Sequence, residues 1–114
     1  MEGGMSKASI NSPKRFWKIE GYDSTRLLFQ NVLPLGYLSE GQMMSLLQRL
    51  ASKHLTEDEI VAASQRPNSK GYAPLLEPHT DHDPSSRYTI SVGVNPYYLA
   101  SVWQSGELAE TDIR

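Results

Sequence analysis

The chain has 114 residues, 39% of them apolar, no cysteine and a formal charge of −2. That length holds one domain with a single modest core, and the lack of cysteine excludes disulfides, thiolate metal sites and cysteine nucleophiles. Residues 1–57 carry seven basic and five acidic side chains and residues 58–114 carry four and eight, so neither half offers a long track for phosphates.

Residues 1–14 are rich in Gly, Ser, Asn and Lys without apolar periodicity. They are expected to form a flexible tail, and they lack the apolar stretch of a secretory signal. No apolar run approaches the length that spans a bilayer. A soluble, cytoplasmic protein is the expectation, with one domain over residues 15–105 and a frayed acidic tail over 106–114.

Alternation begins at "RFWKIEGY", residues 15–22, where Trp17 and Ile19 face one way and Phe16, Lys18 and Glu20 the other. Asp23 and Ser24 are turn formers. "TRLLFQNV" follows as a second strand, with Leu27 and Phe29 on one face and Arg26, Leu28 and Gln30 on the other. The short gap predicts an antiparallel hairpin.

Pro34 and Gly36 end the hairpin, and "SEGQMMSLLQRLASKHL" predicts the main helix. Ser39 and Gln42 have capping-box spacing. Met43, Leu46, Leu47 and Leu50 form an apolar stripe that Ala51 and Leu55 extend. Lys53 and His54 place positive charge near the end of the helix. Thr56 and Glu59 repeat the capping box, so a short second helix runs towards Pro67, pinned to the core by Ile60 and Val61.

Residues 66–86 hold four prolines and read as a long loop that drops Tyr72, Leu75 and Leu76 onto the core. "RYTISVGV", residues 87–94, alternates cleanly, with Tyr88, Ile90, Val92 and Val94 on one side. "NPYYLASVWQ" fits either a helix started by Asn95 and Pro96 or a returning strand. Its Tyr, Val and Trp content favours the strand. The order is strand, strand, helix, helix, strand, strand: an α+β domain whose small antiparallel sheet carries two helices on one face.

Within the long loop, "EPHTDHD" gathers two of the three histidines and three of the thirteen acids. His79 and Asp81 lie two apart, so an extended backbone puts both on one side. His82 or Asp83 would supply a third ligand and His54 a fourth. Imidazole with carboxylate suits a divalent zinc, manganese or iron ion. Against this, Pro78 and Pro84 disfavour the helix that would align His79 with His82, and no recognised ligand spacing is matched. The same residues are the candidates for acid/base catalysis. The chain has no phosphate-binding glycine loop and no serine nucleophile elbow, so an enzyme is the alternative reading.

Nucleic-acid binding would use Lys14, Arg15 and Lys18 around Phe16 and Trp17, with the two helices as a helix-turn-helix. The second helix opens on Glu57, Asp58 and Glu59, and phosphate repels such a tip.

Counting sheet faces leads elsewhere. One face takes Trp17, Ile19, Leu27, Phe29, Ile90 and Val92, together with Tyr88, Tyr98, Ala100 and Val102, and meets the helices. The other shows Phe16, Leu28, Tyr97, Leu99 and Trp103 among Lys18, Glu20, Arg26, Thr89 and Ser91. Aromatic anchors within a polar rim are interface material. The leading expectation is a non-enzymatic module that binds a protein partner or forms a homodimer through Phe16, Leu28, Tyr97, Leu99 and Trp103.

Overall fold

The computed structural model describes residues 14–82 and 87–108. Residues 1–13 of the tail expected over 1–14, Asp83 and the stretch 109–114 lie outside the described residues. Among the described residues, five strands form one antiparallel sheet: β1 (Arg15–Asp23), β2 (Arg26–Pro34), β3 (His79–Asp81), β4 (Thr89–Gly93) and β5 (Tyr97–Gln104). Two helices, α1 (Glu40–Ser52) and α2 (Glu57–Ser64), lie in sequence between β2 and β3. The architecture is therefore α+β, as the periodicity predicts. Residues 97–104 are a strand, which settles the ambiguity at "NPYYLASVWQ".

The sheet order is β2-β1-β5-β4-β3. Two hairpins, β1–β2 and β4–β5, join through the central β1–β5 pair, in which Ile19 lies opposite Ala100. The three-residue β3 adds to the outer edge of β4. It falls within the stretch that reads as loop, because its flanking prolines and exposed polar residues carry no alternation signal. The turns of the two hairpins meet: the Ser24 N–H donates to Asn95 Oδ1 at 2.7 Å. Ser24 has φ 60°, in the left-handed region.

Both helices start on reciprocal caps. Ser39 Oγ accepts from the Gln42 N–H at 3.1 Å, and Gln42 Oε1 accepts from the Ser39 N–H at 2.9 Å. Thr56 and Glu59 repeat the exchange at 3.2 and 2.8 Å. α1 lies across β4 and β5. Its Met43, Leu47 and Ala51 close the core over Trp17, Ile19, Ile90, Val92, Tyr98 and Ala100. Two long-range bonds fix its surroundings. Trp17 Nε1–H donates to the Leu38 carbonyl at 2.9 Å, and Gln48 Nε2–H donates to the Leu76 carbonyl at 2.9 Å. Of the three loop residues expected on the core, Leu76 packs there, whereas Tyr72 and Leu75 are not among the residues against it.

Three expectations change. α2 buries none of its residues: Ile60 is half-buried, Val61 is 59% exposed, and neither is among the residues packed on the core. Val94 is 86% exposed, because β4 stops at Gly93, whose φ of +93° turns the chain before alternation can continue. Leu27 and Phe29 do not share a face. Gly21 pairs with Phe29 but Tyr22 pairs with Leu27, so Leu28 is an extra residue in a β-bulge. The bulge sends Leu27 to the face away from α1. Phe29 stays on the helix side, but α1 lies chiefly over β4 and β5, and Phe29 remains 37% exposed.

Candidate functional site

Strand register sorts the outer face, the one away from α1, into rows running across the strands. Phe16 lies beside Trp103. Lys18 lies between Val32 and Ser101, and Glu20 between Gln30 and Leu99. Tyr22 lies between Leu27 and Tyr97. The Tyr22 and Tyr97 rings stack with centroids 5.6 Å apart. Tyr22 donates its hydroxyl to Glu20 Oε2 at 2.9 Å. Burial, followed by this bond to a carboxylate, pushes the phenol's pKa up to about 12.

Four of the five expected interface residues, Phe16, Tyr97, Leu99 and Trp103, fall on this face and are half-buried. The fifth, Leu28, sits in the bulge at its margin and is 39% exposed. Leu27 joins the face through the bulge and is 48% exposed; strict alternation places it on the other side. Val32 and Ser101 are buried between the rows.

Trp103 is held from several directions. Its Nε1–H donates to Ser101 Oγ at 2.7 Å. Lys18 Nζ lies 4.5 Å and the Arg87 guanidinium carbon 3.7 Å from the ring centroid, both within cation–π range. Arg87 also donates to the Val102 carbonyl at 3.1 Å and to Glu107 Oε1 at 3.0 Å. The Gln104 N–H donates to the same carboxylate oxygen at 2.8 Å. That backbone bond, then Arg87, holds the Glu107 carboxyl below its usual range.

Past Trp103, at the end of the sheet where β1 begins and β5 ends, a cleft of about 570 Å³ opens. Trp17, Tyr88 and Val102 wall it from the sheet side, and Leu35 and Leu38 from the connection into α1. Arg15, Glu40, Arg87 and Glu107 bring charge to it, and the His82 imidazole also lines it. Burial, and after it the neighbouring Glu40 carboxylate, raises the Tyr88 pKa.

The histidines occupy separate places. His54 follows α1, and its Nε2 lies 2.7 Å from the Tyr98 hydroxyl, with the two rings stacked. Burial raises the Tyr98 pKa. His79 and Asp81 share the outer face of the edge strand β3, opposite Ser91 and Thr89, and both are exposed. His82 meets Tyr88 edge to face. Among the described residues no three His, Asp or Glu side chains are grouped so as to hold a metal ion.

No helix among the described residues is long and apolar enough to cross a membrane. The chain matches no protein-family model, no curated protein and no solved structure.

Proposed function

We propose that this chain is a non-enzymatic protein-binding module whose partner is a second copy of itself, docked through the outer face of the sheet. The observation that carries this reading is the order of the rows. Ile19 lies opposite Ala100 in the central strand pair. A two-fold axis crossing the strands at that level, between two facing sheets, brings the Phe16–Trp103 row of one copy over the Tyr22–Tyr97 row of the other. The same rotation sets Lys18 against Glu20 and Leu99 against Ser101. Aromatic rows then meet aromatic rows and opposite charges meet, as an isologous interface requires. Face-to-face sheets pack about 10 Å apart, so side chains of this size fill the gap. A cytoplasmic setting is part of the proposal and rests on the cysteine-free sequence.

Sedimentation equilibrium on the full chain tests it. The wild type is expected to dimerise at micromolar concentration. Lys18→Glu gives that variant two facing carboxylates, and Glu20→Lys gives the other two facing ammonium groups. Each is expected to be monomeric, since facing like charges cost several kcal/mol, or about a thousandfold in affinity. An equimolar mixture of the two is expected to associate again. A wild type that stays at monomer mass up to about 0.5 mM overturns the proposal, and so does a mixture that stays monomeric.

A further inference from the structure

The cleft at the end of the sheet has a charge balance that the docking face does not explain. Of its two carboxylates, Glu107 is held by Arg87 and the Gln104 N–H, and Glu40 lies beside Tyr88, whose pKa it helps to raise. Arg87 is engaged as well, by Glu107, the Val102 carbonyl and the Trp103 ring. Arg15 is different. It precedes Trp17 by two residues on β1, so it shares the inner face that opens on the cleft, and it is exposed. No carboxylate pairs with it among the described residues. A guanidinium with no carboxylate partner among the described residues therefore stands at the rim of a cavity whose aromatic and aliphatic walls are interleaved with His82, Gln104 and the Arg87–Glu107 pair.

We infer that this cleft is a binding site for a small aromatic carboxylic acid. Its volume of about 570 Å³ lies within the usual span of small-ligand pockets. Trp17, Tyr88 and Trp103 offer aromatic contact and Val102, Leu35 and Leu38 aliphatic contact, which suits a flat apolar body. Arg15 takes the carboxylate, for which a guanidinium has a matching fork of donors. A second charge on the ligand would meet Glu40 or Glu107, so the site favours a single anionic group. The cleft shares Trp103 with the docking face, but Arg15, Leu35, Leu38 and Val102 lie off that face, so the binding does not require the dimer.

Isothermal titration of the full chain with 2-naphthoate and with the neutral 2-naphthylmethanol tests the inference. The acid is expected to bind saturably, one per chain, and roughly tenfold tighter than the alcohol, as one charge-assisted pair supplies. Arg15→Gln, a change at an exposed position, is expected to bring the acid down to the alcohol's affinity. Leu99→Ser, on the outer face, is expected to leave both affinities unchanged. Three results overturn the inference: no saturable heat from the acid up to about 5 mM, equal affinities for acid and alcohol in the wild type, or a loss in Leu99→Ser equal to that in Arg15→Gln.

Discussion

At Gly21 the width of a single hydrogen atom decides how the core closes. A Cβ there would run into the Tyr98 ring, which lies opposite across β5. That ring is buried and its hydroxyl is tied to His54, so it has no room to swing aside. Gly21→Ala is therefore expected to destabilise the fold by about 1–3 kcal/mol, the usual cost of overpacking. Urea denaturation measures it, and an unchanged midpoint would contradict the account. One residue along, Tyr22 makes a prediction about alkali. Its folded pKa of about 12 lies above the ordinary value of 10.0, so the folded state holds the phenol's proton longer than the unfolded chain does. The stability this contributes is complete below pH 10 and is lost as the pH rises towards 12. In a tyrosinate absorbance titration, Tyr22→Phe is expected to remove an ionisation step near pH 12. These two neighbours also mark where alternation misleads. The rule of two places Trp17, Ile19, Ile90 and Val92 correctly, but it cannot anticipate an extra residue at Leu28. A bulge has no composition of its own here, so Leu27 and Phe29 part company unannounced.

The two helices share a start signal and differ in the residues behind it. Each capping box is legible as Ser39 with Gln42 and Thr56 with Glu59, and both form. The stripe behind the first box buries Met43, Leu47 and Ala51, whereas the second box leads into a helix that buries nothing. A cap and a length are local properties, but burial depends on where the helix lands relative to the sheet. Ser39→Ala is expected to cost about 1 kcal/mol of global stability, because α1 cannot fray without opening the core. Thr56→Ala removes the same kind of bond from α2 and is expected to raise amide exchange over residues 57–64 while leaving the global midpoint in place. Exchange mass spectrometry beside thermal melting separates the two. β3 lies at the far end of legibility. Three exposed residues between prolines give no periodic signal, and they become a strand only because β4 offers an edge for pairing. The histidine-rich stretch thus gains a backbone role, while its side chains stay apart from His54.

For the whole molecule, the number and direction of the long strands follow from local pattern, and the sheet order does not. Nothing within β1 indicates that its second neighbour is β5, some eighty positions on. That pairing also makes the proposed docking face, since the Phe16–Trp103 and Tyr22–Tyr97 rows each need one residue from β1 and one from β5. The five residues singled out by alternation are individually readable; their arrangement into rows is not. The end cleft is hidden for the same reason. Arg15 and Glu107 are remote in sequence and reach one cavity only after β1 and β5 align.

The bond between Ser24 and Asn95 spans 71 positions, and the strands beside it span nearly the whole described chain. A ribosome making this protein releases β1 long before the segment that completes it. Until β5 emerges, Trp17 and Ile19 have a neighbouring strand on one flank only, and α1 has no finished floor to settle on. Closure of the domain must therefore wait until β5 has cleared the exit tunnel. A transcript cut short before Tyr97 would yield a lone hairpin and a loose helix in place of a smaller folded unit.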